Sequence, residues 1–254
     1  MEKSFLEWMI FLLMQYRDYF ISGTITTLIL ASVGTFLGFL VGFIMGLIDS
    51  IEIDSIKNKA LKVVCEALII ISKVYVTVFR GTPMIVQAMV VYYGSSQVFG
   101  LDMSPALAAI IVITFNTGAY MAETVRGGIL SVDYGQIEGA KALGMKHSTT
   151  MISVILPQAL RNITPQMGNT FVANIKDTSV LNVISVTELF FTTKTAASTY
   201  YRYFEAYMIT AAIYLVLTII ANQILKLIEK VQKGNENYKL VNEDELNIGG
   251  EKYE

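Results

Sequence analysis

The arrangement of apolar and polar positions divides the chain into long apolar runs separated by charged segments. The first long run covers about 19–47 and contains no charged residue. Four more runs follow at about 83–98, 105–125, 165–190 and 204–225. The run 165–190, the fourth of the five, is unusually polar inside. A helix needs about 20 residues to cross roughly 30 Å of hydrocarbon. The pattern therefore predicts an all-α, polytopic membrane bundle with about five transmembrane helices.

One half-apolar segment, 60–79, does not fit the pattern of an ordinary span. It carries Lys62, Glu66 and Lys73 among apolar residues. Such charges suit an interface better than a lipid core. We expect a helix that either lies along the membrane surface or packs under the bundle.

Composition supports a membrane protein and excludes an ordinary soluble domain. Of the 254 residues, 54% are hydrophobic and only 16% are charged, whereas soluble domains carry about 25% charged residues. The single cysteine, Cys65, excludes an intramolecular disulfide, and we expect it to pack as a small apolar residue. The first apolar run, 8–14, has acidic residues around it and no small-residue cleavage site, so we do not expect a cleaved signal peptide.

The distribution of lysine and arginine predicts how the chain is oriented in the membrane. These residues concentrate in the segments 49–80 and 126–161 and at the start of the tail, whereas the opposite loops hold only Lys3, Arg17, Lys194 and Arg202. Basic loops remain cytoplasmic. We therefore expect an extracytoplasmic N-terminal segment 1–18, a transmembrane domain 19–229 with a cytoplasmic loop 126–161, and a cytoplasmic, solvated tail 230–254.

The loop 126–161 contains the most informative local pattern. A short helix is predicted from about 136 to 143, with Glu138 in its first turn, where the helix dipole favours an anion. Small residues (Gly139, Ala140, Ala142) make this helix slender. Gly144 can adopt the left-handed conformation that ends a helix, and Pro157 marks the return toward the bilayer. A slender helix on a rigid turn is suited to the groove of a partner protein.

Polar residues inside the predicted spans indicate a pathway through the bundle. Ionisable groups within a span usually face the bundle interior or a cavity. On the third span, Asn116, Tyr120 and Glu123 share one helical face. The fourth span contributes further polar groups: Asn169, Asn174, Lys176, Asp177, Thr178 and Ser179. Our hypothesis is that these two faces line a translocation path.

Several of these residues have structural alternatives. Glu123 lies one turn before Arg126 and is either in the path or at the cytoplasmic interface. Lys176 and Asp177 either face the path or form ion pairs with each other or with Glu123.

Other polar positions have their own alternatives. Gln87 is either pore-facing or an interhelical hydrogen-bond donor, and Arg80 is expected to anchor the cytoplasmic face rather than bind substrate. Glu188 and Glu205 either meet an external protein or are solvated. The single histidine, His147, is not expected to be catalytic.

The loop sequence resembles the conserved "EAA" loop of ABC-importer permeases. The resemblance rests on Glu138, Gly139, Ala140, Gly144 and the run Val154, Ile155, Leu156 and Pro157. It departs from the family pattern at Gly139, where alanine is usual, and at Val154, where isoleucine is usual. The segments 79–87, 116–129 and 174–179 are similar to patterns of the histidine/glutamine/arginine-type branch of these permeases.

The resemblance implies a type I ABC importer permease fold and a set of partners. These are two copies of an ATP-binding subunit, a second identical or homologous permease subunit, an extracytoplasmic amino acid-binding protein, the lipid bilayer and a polar amino acid as cargo, with no nucleic acid. ATP and Mg²⁺ would be used by the partner ATPase, so we expect no enzymatic activity, cofactor or metal site in this chain. In the family, the loop docks onto the ATPase and transmits its closure to the spans.

Two other classes of membrane protein fit the sequence less well. A stand-alone secondary transporter or channel would leave the loop pattern unexplained, and we find no convincing internal repeat. A membrane-bound enzyme would need a metal cluster, a nucleophile–base pair or a phosphate loop. The glycine spacing of Gly139 and Gly144 matches a phosphate loop, but Met145 stands where that motif requires lysine.

Overall fold

A computed structural model describes residues 3–53 and 56–233 of the chain. These residues form helices and contain no β-strand, in agreement with the predicted all-α fold. The helices are α1 (Phe5–Gln15), α2 (Arg17–Asp49), α3 (Lys59–Gly81), α4 (Met84–Phe99), α5 (Pro105–Leu130), α6 (Tyr134–Ala142), α7 (His147–Thr150), α8 (Leu156–Asp177), α9 (Leu189–Tyr200) and α10 (Tyr203–Lys233). A π-helical stretch, Met151–Ile155, joins α7 to α8, and a 3₁₀ helix, Thr178–Ile184, follows α8.

The centre of the bundle is a close parallel contact between α2 and α5. Four glycines at every fourth position of α2 face successive turns of α5 at a constant sequence offset: Gly34 on Ile113, Gly38 on Thr117, Gly42 on Met121 and Gly46 on Val125. Small residues spaced by four let helix backbones approach closely. In lipid the hydrophobic effect does not drive helices together, so the van der Waals contacts of this close approach stabilise the pair instead. The constant offset means that α2 and α5 run in the same direction. They end together at what we call the loop end of the bundle, beside α6 and α7.

Two helical passages, by which we mean the segments α3–α4 and α8–α9 that cross the bundle antiparallel to α5, are each interrupted by a break. In the first, α3 and α4 are separated at Thr82 and Pro83, because proline cannot donate the hydrogen bond that a continuous helix needs. In the second, α8 passes into the 3₁₀ helix, which ends at Ser185 in the left-handed conformation (φ 64°) before α9 continues. The bundle therefore combines three unbroken helices, α2, α5 and α10, with two broken passages.

Three of the five predicted apolar runs lie within single long helices. Three of the described helices are long and apolar enough to cross a membrane, at Arg17–Asp49, Pro105–Leu130 and Tyr203–Gln232. The predicted run 83–98 is α4, which has 16 residues. The prediction of one continuous helix over 165–190 is wrong, since α8 ends at Asp177 and α9 begins at Leu189. Hydropathy counts apolar residues, and it does not detect a change of helix type inside an apolar run.

The half-apolar segment is the helix α3, and its second half packs along the bundle. The Tyr75 hydroxyl donates to the Phe115 carbonyl oxygen of α5 at 2.7 Å. The Ser72 hydroxyl donates to the Met45 carbonyl oxygen of α2 at 3.4 Å. These contacts fit the packed alternative rather than a helix that lies flat on the surface. Cys65 is a free, buried thiol on the same helix. Of the predicted tail 230–254, residues 230–233 belong to α10, and the remainder lies outside the described residues.

Glu188 and Glu205 are not solvated, contrary to one of the two expectations for them. Glu188 is fully buried and caps the start of α9, where its carboxylate accepts from the Phe190 and Phe191 amides at 2.9 and 2.7 Å. The Tyr214 hydroxyl donates to the same carboxylate at 3.1 Å. Glu205 is 8% exposed and lies 3.5 Å from Arg202. Tertiary packing places both carboxylates inside the fold, because a helix N-terminus and an arginine satisfy them there.

Candidate functional site

A cavity of about 640 Å³ lies between the two breaks in the antiparallel passages. Residues from α3 and α4 on both sides of the first break form one wall, and α5 forms the second. The polar face of α8 forms the third. The polar residues that line it are Arg80, Thr82, Asn116, Thr117, Tyr120, Glu123, Thr124, Gln166, Asn169, Thr170, Asn174 and Asp177. Irregular backbone at membrane depth is tolerated where it lines a cavity, so the two breaks and the cavity belong to one arrangement.

The first break is held together by a single buried side chain, Gln87. Its amide nitrogen donates to the Phe79 carbonyl oxygen at 2.9 Å, to the Thr82 carbonyl oxygen at 3.0 Å and to the Thr82 hydroxyl at 2.9 Å. Its amide oxygen accepts from Asn116 at 3.0 Å. The break leaves carbonyls without helical partners, and Gln87 supplies the missing donor. Of the two alternatives for Gln87, the structure therefore favours the interhelical hydrogen bond.

Charged groups of both signs gather on the α3–α5 side of the cavity. Glu123 lies 3.1 Å from Arg126 and 3.8 Å from Arg80, and the Arg80 guanidinium sits 5.5 Å from the centre of the Tyr120 ring. The three charged side chains are 36–43% exposed, so their ion pairs are partly solvated and individually weak. Arg80 faces the cavity as well as anchoring α3 to α5.

The α8 wall presents a polar face in helical register. Asn174 is 5% exposed and ties this wall to the bundle, since its amide donates to the Thr35 hydroxyl at 2.7 Å and the Thr117 hydroxyl at 2.9 Å. Asp177, one turn further, lines the cavity and makes no ion pair within 4 Å among residues 3–53 and 56–233. The ion-pair alternative for Asp177 is therefore not supported at this distance, and Glu123 is engaged by the two arginines instead.

The structure brings together some of the predicted pathway residues and separates others. Asn116, Tyr120, Glu123, Asn169, Asn174 and Asp177 line the cavity. Gln87, Lys176, Thr178 and Ser179 are not among its lining residues, and Thr178 is fully buried with its hydroxyl donating to the Ile175 carbonyl oxygen. The sequence reasoning missed Gln166 and Thr170. Thr170 lies four residues before Asn174 and seven before Asp177, and Gln166 lies four residues before Thr170, so the helical spacing was the signal that could have revealed them.

The second candidate site is the short helix α6 at the loop end. Asp133 caps it by accepting from the Gly135 amide at 2.6 Å. Its other end closes with the Met145 amide donating to the Ala140 carbonyl oxygen at 3.0 Å and the Gly144 amide donating to the Lys141 carbonyl oxygen at 2.9 Å. Gly144 has φ 75°, as predicted. This pair of hydrogen bonds with a left-handed glycine is a Schellman motif.

The helix α6 is anchored on one side and exposed on the other. Ile137 packs against the apolar cluster at the loop end that includes Val125, Ile129 and Ile155. Glu138 and Gly139 are exposed. Because α6 begins at Tyr134 rather than near 136, Glu138 lies in the second turn and not in the first, which corrects the prediction. The helix α6 starts earlier because the Asp133 side chain caps it, and the prediction did not include this N-cap.

The rest of the loop pattern lies in the continuous helical stretch from α7 into α8. Val154 is in the π-helical turn, and Leu156 and Pro157 begin α8. Ala140 is 6% exposed. His147 is the first residue of α7. Pro157 lacks an amide donor, and a position in the first turn of α8 suits it.

We expect Gly144→Val to loosen the end of α6, whereas Gly144→Asn should leave it nearly unchanged. A β-carbon here meets no atom within 4 Å, so the main effect comes from the left-handed backbone conformation. Valine in the left-handed region costs about 1–3 kcal/mol, but asparagine tolerates it. Amide hydrogen exchange at residues 144 and 145 should be roughly tenfold faster in the valine variant. Equal exchange in both variants would contradict the Schellman closure.

Comparison with known proteins identifies related sequences. Residues 67–233 match the family described as "Binding-protein-dependent transport system inner membrane component". The arginine transport system permease protein of Bacillus subtilis is 34% identical over 196 residues, which are 77% of this chain and 88% of that protein. The glutamine transport system permease protein of Escherichia coli is 38% identical over 164 residues, or 64% of this chain and 75% of that protein.

Solved structures share the fold. A crystal structure of an amino acid ABC transporter with histidines superimposes with a TM-score of 0.78 at 36% identity, covering 90% of this chain and 99% of that one. An inward-facing structure of a methionine ABC transporter superimposes with a TM-score of 0.69 at 19% identity, covering 86% of this chain and 98% of that one. At that identity, the second comparison concerns the fold alone.

Proposed function

The chain belongs to the family of binding-protein-dependent transport system inner membrane components, and from this we propose that its cavity is the translocation path for a polar amino acid. As a member of that family it is a multi-pass permease component of a bacterial amino acid ABC importer. The proposal concerns which residues carry the cargo, how the chain meets its ATPase and how it is oriented in the membrane.

The chemistry of the cavity walls supports the assignment of the path. A free amino acid carries a carboxylate and an ammonium, so a path for it needs groups of both signs. Arg80 provides a cation on one side of the cavity, and Asp177, which makes no ion pair within 4 Å among the described residues, provides a carboxylate on another. Asn116, Asn169 and Tyr120 add hydrogen-bonding groups between them. Related permeases are named for arginine and glutamine, which supports a polar amino acid as the cargo class.

The exposed side of α6 supports the assignment of the ATPase contact. The helix is rigidly closed at both ends, and Glu138 and Gly139 face outward at the loop end. The basic residues of the segments 49–80 and 126–161 favour a cytoplasmic loop end and an extracytoplasmic N-terminus. The described part of the chain presents one such helix. A pair of ATPase subunits would therefore be served by two permease subunits, identical or homologous, with ATP and Mg²⁺ bound by the ATPase.

The mechanism we propose is alternating access. A loaded binding protein docks at the extracytoplasmic end, ATP closes the two ATPase subunits, and α6 transmits that closure into α8 through the continuous helical stretch after His147. The cavity then opens outward, receives the amino acid, and releases it inside after hydrolysis. The single observation that carries the proposal is a cavity that lies between the two broken passages and is lined by both a cation, Arg80, and a carboxylate, Asp177.

Uptake in proteoliposomes tests this function. The chain is reconstituted with its co-encoded ATPase and binding protein, and radiolabelled amino acids are offered as a panel with and without internal ATP. We expect uptake of a polar amino acid only when ATP and the binding protein are both present. Uptake that proceeds without ATP would overturn the importer mechanism in favour of a secondary transporter, and no uptake of any amino acid would overturn the cargo class.

A further inference from the structure

The break between α3 and α4 fixes the orientation of one amide side chain. The amide nitrogen of Gln87 faces two backbone carbonyl oxygens, those of Phe79 and Thr82, at 2.9 and 3.0 Å. Carbonyl oxygens only accept hydrogen bonds, so the nitrogen and not the oxygen of Gln87 must point toward them. Gln87 is 7% exposed, which leaves no water-facing alternative for its amide.

The orientation of Gln87 in turn determines that of Asn116 on α5. With its nitrogen committed to the break, Gln87 turns its amide oxygen to Asn116 at 3.0 Å. An oxygen requires a donor, so Asn116 must present its nitrogen to Gln87. The same nitrogen lies 3.5 Å from the Phe79 carbonyl oxygen. The assignment of nitrogen and oxygen in both amides thus follows from the backbone carbonyls of the break.

The remaining atom of this chain of hydrogen bonds is the side-chain oxygen of Asn116. It accepts no hydrogen bond from any residue in 3–53 or 56–233, and it is not enclosed by them. Asn116 lines the cavity. An asparagine that was free to turn could offer the cavity either a donor or an acceptor, but this one offers an acceptor.

We propose that the Asn116 side-chain oxygen is a fixed acceptor for an N–H group of the transported amino acid, and that Gln87 is the positioning residue that holds it in this orientation. The inference rests on the proposed function of the cavity as the path. It assigns a direction to the cargo: the ammonium or another N–H group lies toward Asn116 and the carboxylate toward Arg80. Gln87 itself does not touch the cargo.

The test compares the half-saturation concentration and the maximal rate of uptake in four variants. They are Gln87→Met, Asn116→Leu, the double variant, and Gln97→Met as a control with the same substitution at an exposed position of α4. Loss of one hydrogen bond to a charged donor should raise the half-saturation concentration about tenfold in Asn116→Leu. Gln87→Met should raise it in the same direction with a smaller change in the maximal rate, and Gln97→Met should match the wild type.

The double variant separates positioning from a structural role. If Gln87 acts through Asn116, the double variant should be no worse than Asn116→Leu alone, because the two losses are one interaction. If the increases in half-saturation concentration of the two single variants multiplied in the double variant, or if only the maximal rate fell, the inference would be overturned. ATP-driven uptake by the wild type, and with it the proposed function, would be unaffected by either result. A protein that failed to assemble would be recognised by its ATPase activity and its elution as a complex, and Gln87→Glu, which cannot donate to the two carbonyls, would then replace Gln87→Met.

The cargo panel identifies which N–H group is bound. An equal penalty in Asn116→Leu for all transported amino acids assigns the α-ammonium. A penalty confined to cargoes with a side-chain N–H, such as arginine or glutamine, assigns the side chain. No penalty for any cargo would overturn the role of Asn116 as an acceptor.

Discussion

Replacement of Glu138 by lysine is expected to abolish ATP-driven uptake while leaving the permease folded. Glu138 is exposed on α6 and makes no ion pair or side-chain hydrogen bond with the described residues, so its replacement removes nothing from the fold. At a protein interface, loss of one member of a charge pair costs about 2–5 kcal/mol, and like charges brought together cost several more. Binding of the ATPase subunit should therefore weaken by at least thirtyfold.

The measurement is the affinity of the purified permease for its ATPase subunit, together with uptake in proteoliposomes. Asp18→Lys is the charge-matched control for ATPase affinity, since Asp18 is also exposed and lies at the start of α2, far from α6, although it loses an ion pair with Arg17. It should keep wild-type affinity for the ATPase. Thermal unfolding of Glu138→Lys should match the wild type. Normal ATPase binding by Glu138→Lys would contradict the assignment of α6 as the contact.

Gly42→Ala is expected to destabilise the bundle, although it adds only one methyl group. A β-carbon at this position would lie 2.6 Å from the Gly118 carbonyl oxygen and 2.9 Å from the Ala122 amide nitrogen. Both are backbone atoms of α5, so no side-chain rotation can relieve the contact, and α2 and α5 must move apart. Overpacking in a close-packed interior costs about 1–3 kcal/mol and occasionally more. The displacement would also shift α5, which carries Asn116, Tyr120 and Glu123.

Thermal unfolding in detergent measures this effect. Gly127→Ala is the matched control on the same helix pair, because a β-carbon there meets no atom within 4 Å. An alanine in place of an unstrained helical glycine stabilises by about 0.5–1 kcal/mol, so the control should unfold at the same temperature as the wild type or slightly above it. If Gly42→Ala unfolded like Gly127→Ala, the close approach of α2 and α5 would be wrong.

The broad architecture was accessible from the sequence because its signals are local. The uncharged run 19–47 predicted α2, and the apolar run 204–225 predicted the core of α10. Gly144 predicted a left-handed helix end, because few other residues adopt that conformation without strain. The family match confirmed the resemblance that had been based on the loop residues from Glu138 to Pro157.

The interior of the site was less accessible because its signals are not local. The length of the run 165–190 suits one helix, but α8 ends at Asp177, and Glu188, which accepts from Tyr214 of α10, caps a new helix there. Arg80 was assigned to anchoring alone, since its approach to Tyr120 and Glu123 depends on the antiparallel course of α3 and α5. For Asp177 the sequence left open the path or an ion pair with Lys176 or Glu123, and the structure engages Glu123 with Arg80 and Arg126 instead.

The sequence by itself determined that this protein lies in a membrane, its class of fold, its short loop helix and its family, since all of these follow from residue type and spacing along the chain. Only the tertiary structure decided which polar residues meet. Gln87 and Asn116 are 29 positions apart, and Asn174 and Thr35 are 139 apart. Their hydrogen bonds depend on helix direction and register, which the glycines of α2 fix by setting its contact with α5. Helix register is a property of packed surfaces, and a pattern along the chain does not contain it.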